Sequence, residues 1–175
     1  MNKRKVEMFA NFALKHNLQH QSSKYMMARL NSIQVNIGAI TVSINEKMVG
    51  SGKHQTVVTT LTMGPTNYDF EFRIGKEHFF SKTGKLMGFK DVEFNDPEFD
   101  KMFLMKSKEE EKFRALVTYD IQNELKGIAN DLKGNIHGNQ NTLSYSITGP
   151  MVKQPQLDAF ERVMKVMQKM LKTRR

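Results

Sequence analysis

The sequence contains no cysteine, which excludes disulfide staples, thiolate zinc sites, iron–sulfur clusters and a cysteine nucleophile together. Such a chain suits a reducing compartment. There is no tryptophan, and Tyr25 and Tyr68 are the only tyrosines in the first half, so a stacking platform for single-stranded nucleic acid is poorly supplied. Long apolar runs are missing too: nothing approaches the roughly 18 consecutive apolar residues that span a bilayer. The start, Met1-Asn2-Lys3-Arg4-Lys5, has the basic character of a signal peptide, but Glu7, Asn11 and Lys15 interrupt the apolar stretch that would have to follow. The start reads as mature sequence, and a soluble cytoplasmic protein is the expectation.

What is present fits one α+β domain over residues 1–175, with 39% apolar residues to build a core and 26% charged residues, an ordinary globular share. The formal charge is +9, yet Lys3, Arg4, Lys5, Lys172, Arg174 and Arg175 supply six positive charges at the two ends. Without them, 21 basic residues face 18 acidic ones. The body is therefore nearly balanced, and those six residues are the candidate contacts for an anionic partner, either nucleic acid or an anionic membrane surface.

Periodicity sets out the elements. Val6, Phe9, Ala10, Ala13 and Leu14 share one face of a first helix over residues 3–16, with Asn17 as its stop. Ile33, Val35 and Ile37 alternate with polar residues, and Ile40, Val42 and Ile44 do so in the opposite phase, which predicts a bulge or a tight turn at Gly38-Ala39. Strands over residues 55–63 and 68–74 extend this into an antiparallel meander, with Tyr68, Phe70, Phe72 and Ile74 on its buried side. An irregular stretch follows through Gly84 and Gly88. Asp96-Pro97 then opens a short helical turn, Ser107 and Glu110 have the spacing of a capping box, and Ile121, Leu125, Ile128 and Leu132 mark a helix ending at Gly134. A hairpin over 135–147 and a last amphipathic helix over 154–172 complete the chain, with Leu157, Phe160, Met164, Met167 and Leu171 turned inward.

Chemical motifs are sparse. Gly50-Ser51-Gly52-Lys53 lacks the leading glycine and the Ser/Thr of a phosphate loop and reads as a turn. Asp91, Glu93, Asp96, Glu98 and Asp100 lack the ligand spacing of a calcium loop and read as capping residues on a segment held by phenylalanines. His16 and His20 are four apart, but Asn17 breaks the helix that would align them for a metal. Met164, Met167 and Met170 fit core packing better than a soft binding surface. No nucleophile motif such as Gly-x-Ser-x-Gly occurs, so no catalytic, cofactor or metal residue is assigned.

The segment from Leu86 to Lys106, with Gly88, Asp91, Phe94, Asp96-Pro97-Glu98-Phe99-Asp100 and Phe103, resembles a segment of uncharacterised bacterial α+β domains; Asn95 stands where that pattern carries glycine. The closing hairpin and helix are similar too, so the resemblance covers residues 86–172. It implies an α+β domain of unassigned activity, often the soluble part of a membrane-attached protein, and supplies no catalytic residues. Phe99 and Phe103 read as core anchors, and Asp96 and Asp100 as capping or turn residues. The function expected is a non-enzymatic binding or interaction domain for a protein or apolar ligand, using the wet face of its sheet or a helix–sheet groove. The alternatives are electrostatic binding through the basic ends and an enzyme assembled from dispersed residues.

Overall fold

The structure, a computed structural model, describes residues 3–25, 28–37, 39–76 and 88–173. In chain order the elements are α1 (Lys3–Lys15), β1 (Gln19–Tyr25), β2 (Ala28–Ile37), β3 (Ile40–Val49), β4 (Thr56–Gly64), β5 (Phe72–Gly75) and β6 (Lys90–Asp91). There follow α2 (Pro97–Met102), β7 (Leu104–Ser107), α3 (Glu110–Leu116), α4 (Tyr119–Gly127), β8 (Asn135–Gly138), β9 (Leu143–Thr148) and α5 (Gln154–Lys172). The fold is α+β. The nine strands of the described residues join one antiparallel sheet in the order β1-β2-β3-β4-β9-β8-β5-β7-β6.

β2, β3 and β4 form the first three strands of the expected meander, with β1 added at its edge, and the chain reverses between Ile37 and Ile40, which pair with each other; Gly38 lies outside the described residues. The meander stops there. β9 takes the free edge of β4, and β5 lies between β8 and β7. Of the predicted 68–74 strand only residues 72–74 join the ladder, which runs on to Gly75, although Tyr68, Phe70, Phe72 and Ile74 are all buried as their alternation requires. β1 and the first residues of β2 were not anticipated: Gln19–Tyr25 has no apolar alternation to announce a strand, and its pairing with β2 supplies the order instead.

The strand registers place Ile33, Val42, Ile44, Leu61, Met63, Leu143, Tyr145, Ile136, Phe72, Ile74 and Met105 on one face. The helices pack there. Phe9 lies against His20, Phe113 stacks on Phe72 at 4.9 Å, and Phe160 meets Tyr145 at 5.2 Å. Gly138 is required beneath Phe72, since a Cβ at that position would stand 2.2 Å from the ring.

The helix ends reflect local chemistry. Asp96 caps α2 by accepting from the Glu98 and Phe99 amides, Pro97 fills the first turn, and Phe99 and Phe103 are buried as expected. Asp100 accepts from the Phe94 amide and closes the preceding turn, where Asn95 adopts a φ of 58°, a conformation that glycine and asparagine accommodate best. Ser107 does not cap α3. It ends β7, donates to the Glu71 carbonyl and accepts from the Glu109 amide, so Glu109 occupies the cap position. α4 stops at Gly127, short of Gly134, although Ile128 and Leu132 are buried through the turn that follows. Gly134 serves a close approach to β9: a Cβ there would lie 1.8 Å from the Ser146 carbonyl oxygen. α5 keeps the predicted bounds, and Met164, Met167 and Met170 are core residues. α1 turns a different stripe inward than predicted, with Lys5, Phe9, Phe12 and Ala13 buried and Leu14 76% exposed.

Candidate functional site

Across the middle of β2, β3, β4 and β9 the second face of the sheet is built of short neutral polar side chains. Strands alternate their side chains, so burying Ile33, Ile44, Leu61 and Tyr145 turns Ser32 and Gln34, Ser43 and Asn45, Thr60 and Thr62, and Ser144 and Ser146 to the other side. These side chains bond to one another across the strands. Ser32 donates to Asn45 at 2.6 Å, Asn45 donates to Ser43 at 3.2 Å, and the Thr60 and Ser146 hydroxyls meet at 3.0 Å. Each hydroxyl keeps unused donor or acceptor capacity. Lys47, near one end of β3, is the one charged side chain that β3, β4 and β9 place here. A row of cross-strand partners crosses the whole face: Asp91, Lys106, Arg73, His137, Ser144, Thr62, Ser43, Gln34 and Gln19.

Charge collects at the β8-β5-β7 end of that row. His137 Nε2 lies 2.8 Å from Glu71 Oε1, Lys108 Nζ lies 3.3 Å from Glu71 Oε2, and Lys106 pairs with Asp91. Partial burial pushes the Glu71 carboxyl up, but hydrogen bonds from His137 and Lys108 outweigh it and hold the group below its ordinary value. The Phe89 ring lies under two cations, 5.8 Å from Arg73 Cζ and 5.2 Å from Lys108 Nζ.

On the helix side, a buried carboxylate ties three elements together. Glu46 on β3 accepts from Lys5 Nζ at 2.8 Å, from the Asn31 amide and side chain at 3.0 and 2.9 Å, and from the Met151 amide at 3.3 Å. Asn31 in turn meets His20 at 3.2 Å. This arrangement fixes the start of α1 against the segment entering α5. An open groove of about 690 Å³ lies between them, walled by Arg4, Glu7 and Met8 on one side and Val152, Lys153 and Pro155 on the other.

The described residues of the basic ends do not form a common patch. Lys5 is buried in the Glu46 clamp, which removes it from the set of anion contacts. Lys3 and Arg4 are exposed on the first turn of α1, with Arg4 at the N-terminal end of α5. Lys172 lies in the last turn of α5, ~27 Å further along that helix. Arg174 and Arg175 fall outside the described residues, as do Gly84, Leu86 and Met87. The other sequence candidates have structural partners. Gly50 has the positive φ of a turn glycine, at 94°. Asp96 and Glu98 both pair with Lys126. His16 approaches Glu161 at 3.5 Å, while His20 serves the Asn31 contact. Among the described residues no group of three metal-ligating acids or histidines converges, and no helix is long and apolar enough to cross a membrane. Sequence reading missed Glu46 and Arg73. Both occupy ordinary strand positions, and only the pairing register reveals their neighbours.

No protein-family model and no curated protein matches the chain. A solved structure does. The crystal structure of the mycobacterial trehalose monomycolate transport factor A, TtfA, is similar with a TM-score of 0.61, over 98% of this chain and 97% of that one, at 10% sequence identity. At that identity the likeness establishes a shared fold.

Proposed function

We propose that this chain is a non-enzymatic binding or interaction domain whose contact surface is the open face of its sheet. The observation that carries the reading is the one-sided layering: among the described residues the helices take the apolar face and leave a broad array of hydroxyls and amides held on the strands. The partly or fully buried carboxylates favour the same reading. Glu46 serves Lys5, Glu161 serves Lys15 and Lys165, and Glu71 serves His137 and Lys108, so each is committed to a fixed cation instead of standing ready to carry a proton. TtfA, the structural neighbour, is named a transport factor, a kind of role that suits holding or passing on a ligand. The cysteine-free sequence accords with a cytoplasmic location, and the Asp96 cap with its Phe99 and Phe103 anchors accords with kinship to uncharacterised bacterial α+β domains.

A thermal-shift screen of sugars, sugar phosphates and short peptides tests the reading, because a ligand of the native state raises the melting temperature by mass action. The expected result is a concentration-dependent rise that is lost in Thr62→Phe, with the ligand recovered chemically unchanged. Conversion of the ligand, or a rise indifferent to Thr62→Phe, would overturn it.

A second reading, electrostatic binding to nucleic acid or an anionic membrane surface through the basic termini, draws on Arg4, to which the fold adds Lys153 from outside the chain ends; the two flank the α1–α5 groove and join no ion pair among the described residues. Under that reading Arg4→Gln with Lys153→Gln weakens binding to phosphatidylserine vesicles and flattens its salt dependence. Unchanged vesicle binding in the double variant would exclude it.

A further inference from the structure

Three basic side chains stand next to one another in the row that crosses the open face: Lys106 on β7, Arg73 on β5 and His137 on β8. Directly opposed side chains on neighbouring strands have Cβ atoms about 4.5–5.5 Å apart, a distance at which like charges are unfavourable. The outer two have carboxylate partners, Asp91 for Lys106 and Glu71 for His137. Arg73, between them, has none among the described residues. Among the described residues it joins no ion pair, and its Nε is buried with no hydrogen-bond acceptor. Its guanidinium carbon sits 5.8 Å from the Phe89 ring centroid. A ring contact of this kind supports the cation without accepting its in-plane N–H groups.

A buried donor without an acceptor calls for a physical explanation, and a missing ligand atom is one of the few available. We propose that Arg73 anchors the anionic group, a phosphate or a carboxylate, of a hydroxylated ligand lying along the open face. The proposal rests on the reading of that face as the contact surface and narrows the ligand to a class. Arg73 presents the planar fork that matches such a group, and Lys106 and His137, each already engaged by a carboxylate, add little further attraction. Beyond His137 the row continues through the hydroxyls of Ser144, Thr62 and Ser43, which match a ligand's own hydroxyls in donor and acceptor character. Within the row, Arg73 is the one cation without a carboxylate partner among the described residues, and Lys47 stands apart near one end of β3, so the row complements a ligand with a single charged end. A polyanion such as nucleic acid would require several unpaired cations tracking its backbone.

The test is amide and arginine Nε–H nuclear magnetic resonance on the full chain, titrated separately with glucose 6-phosphate, glucuronate, glucose and inorganic phosphate. Saturable shifts at Arg73, His137, Ser144 and Thr62 with glucose 6-phosphate or glucuronate are expected, and the tighter of the two identifies phosphate or carboxylate as the anchored group. Inorganic phosphate should bind more weakly, having no hydroxylated body. Arg73→Met should weaken the tighter probe at least tenfold, and Arg73→Lys should restore only part of the loss, because it keeps the charge without the fork. The urea midpoint of Arg73→Met should match that of the parent chain, since no ion pair is broken. Shifts on the open face that persist undiminished in Arg73→Met, or that glucose produces equally well, would overturn the Arg73 assignment while leaving the open-face reading in place. Shifts confined to the α1–α5 groove, or none with any probe, would overturn the proposal.

Discussion

Removing the ammonium from the Glu46 clamp should cost more stability than any surface change in the protein. Lys5 Nζ lies 2.8 Å from a carboxylate whose side chain is 0% exposed, and the lysine side chain itself is 6% exposed. Breaking a buried pair from one side leaves an uncompensated charge and typically costs about 3–5 kcal/mol. In Lys5→Met, Glu46 keeps the Asn31 amide, the Asn31 side chain and the Met151 amide as donors, so the loss should fall near the lower end, about 3 kcal/mol. Glu46→Leu takes the carboxylate away from the Lys5 ammonium and orphans those three donors, and should lie toward about 5 kcal/mol. The double variant removes both charges and leaves only neutral donors unsatisfied, so it should cost less than the sum of the singles by about 2–3 kcal/mol. With no tryptophan in the chain, urea unfolding followed by circular dichroism in the far ultraviolet is the suitable assay. A loss below about 1 kcal/mol for Lys5→Met, the size of an exposed pair, or strict additivity of the two singles, would refute the reasoning.

Other outcomes follow from the same structure. Burial pushes the Glu161 carboxyl up, but hydrogen bonds from Lys15 and Lys165 more than offset this and bring it down to about 2. Its contribution, about 2–3 kcal/mol at neutral pH, is present above the unfolded-state value near 4.5 and is lost as the pH falls toward about 2. Glu161→Gln should therefore be less stable than the parent at pH 7 and nearly equal to it at pH 2, as urea titrations at the two pH values would reveal. Gly138→Ala should cost roughly 1–3 kcal/mol by forcing Phe72 out of place, read as a lowered urea midpoint. Met167→Ala on α5 empties a fully buried core position and should cost about 2–5 kcal/mol, and calorimetry should register a drop of several degrees in melting temperature.

Sequence periodicity was enough for elements whose burial is one-sided and local. The last helix, the closing hairpin and the Asp96-Pro97 cap are formed where the residues place them, because each depends on neighbours a few positions away. β1 escaped notice because Gln19 to Tyr25 carries no alternating apolar side chains and owes its extension to β2. The inward stripe of α1 was misplaced for a related reason. A lysine reads as exposed until its counter-charge is known, and Glu46 lies 41 positions away on another element. The open face was legible as a wet face, whereas Arg73 was not legible as a candidate site. Its isolation between Lys106 and His137 arises only from β5 leaving the meander to pair with β7 and β8.

The central claim, that the polar sheet face is the contact surface, is most directly tested by photocrosslinking in living cells. A photoreactive amino acid replaces Thr62 or Ser43 on that face, and Glu111 on the exposed side of α3 serves as the control. Adducts from positions 62 and 43 that saturate with expression level, and none from position 111, are the predicted result. Equal labelling at all three positions, or adducts from position 111 alone, would contradict the account.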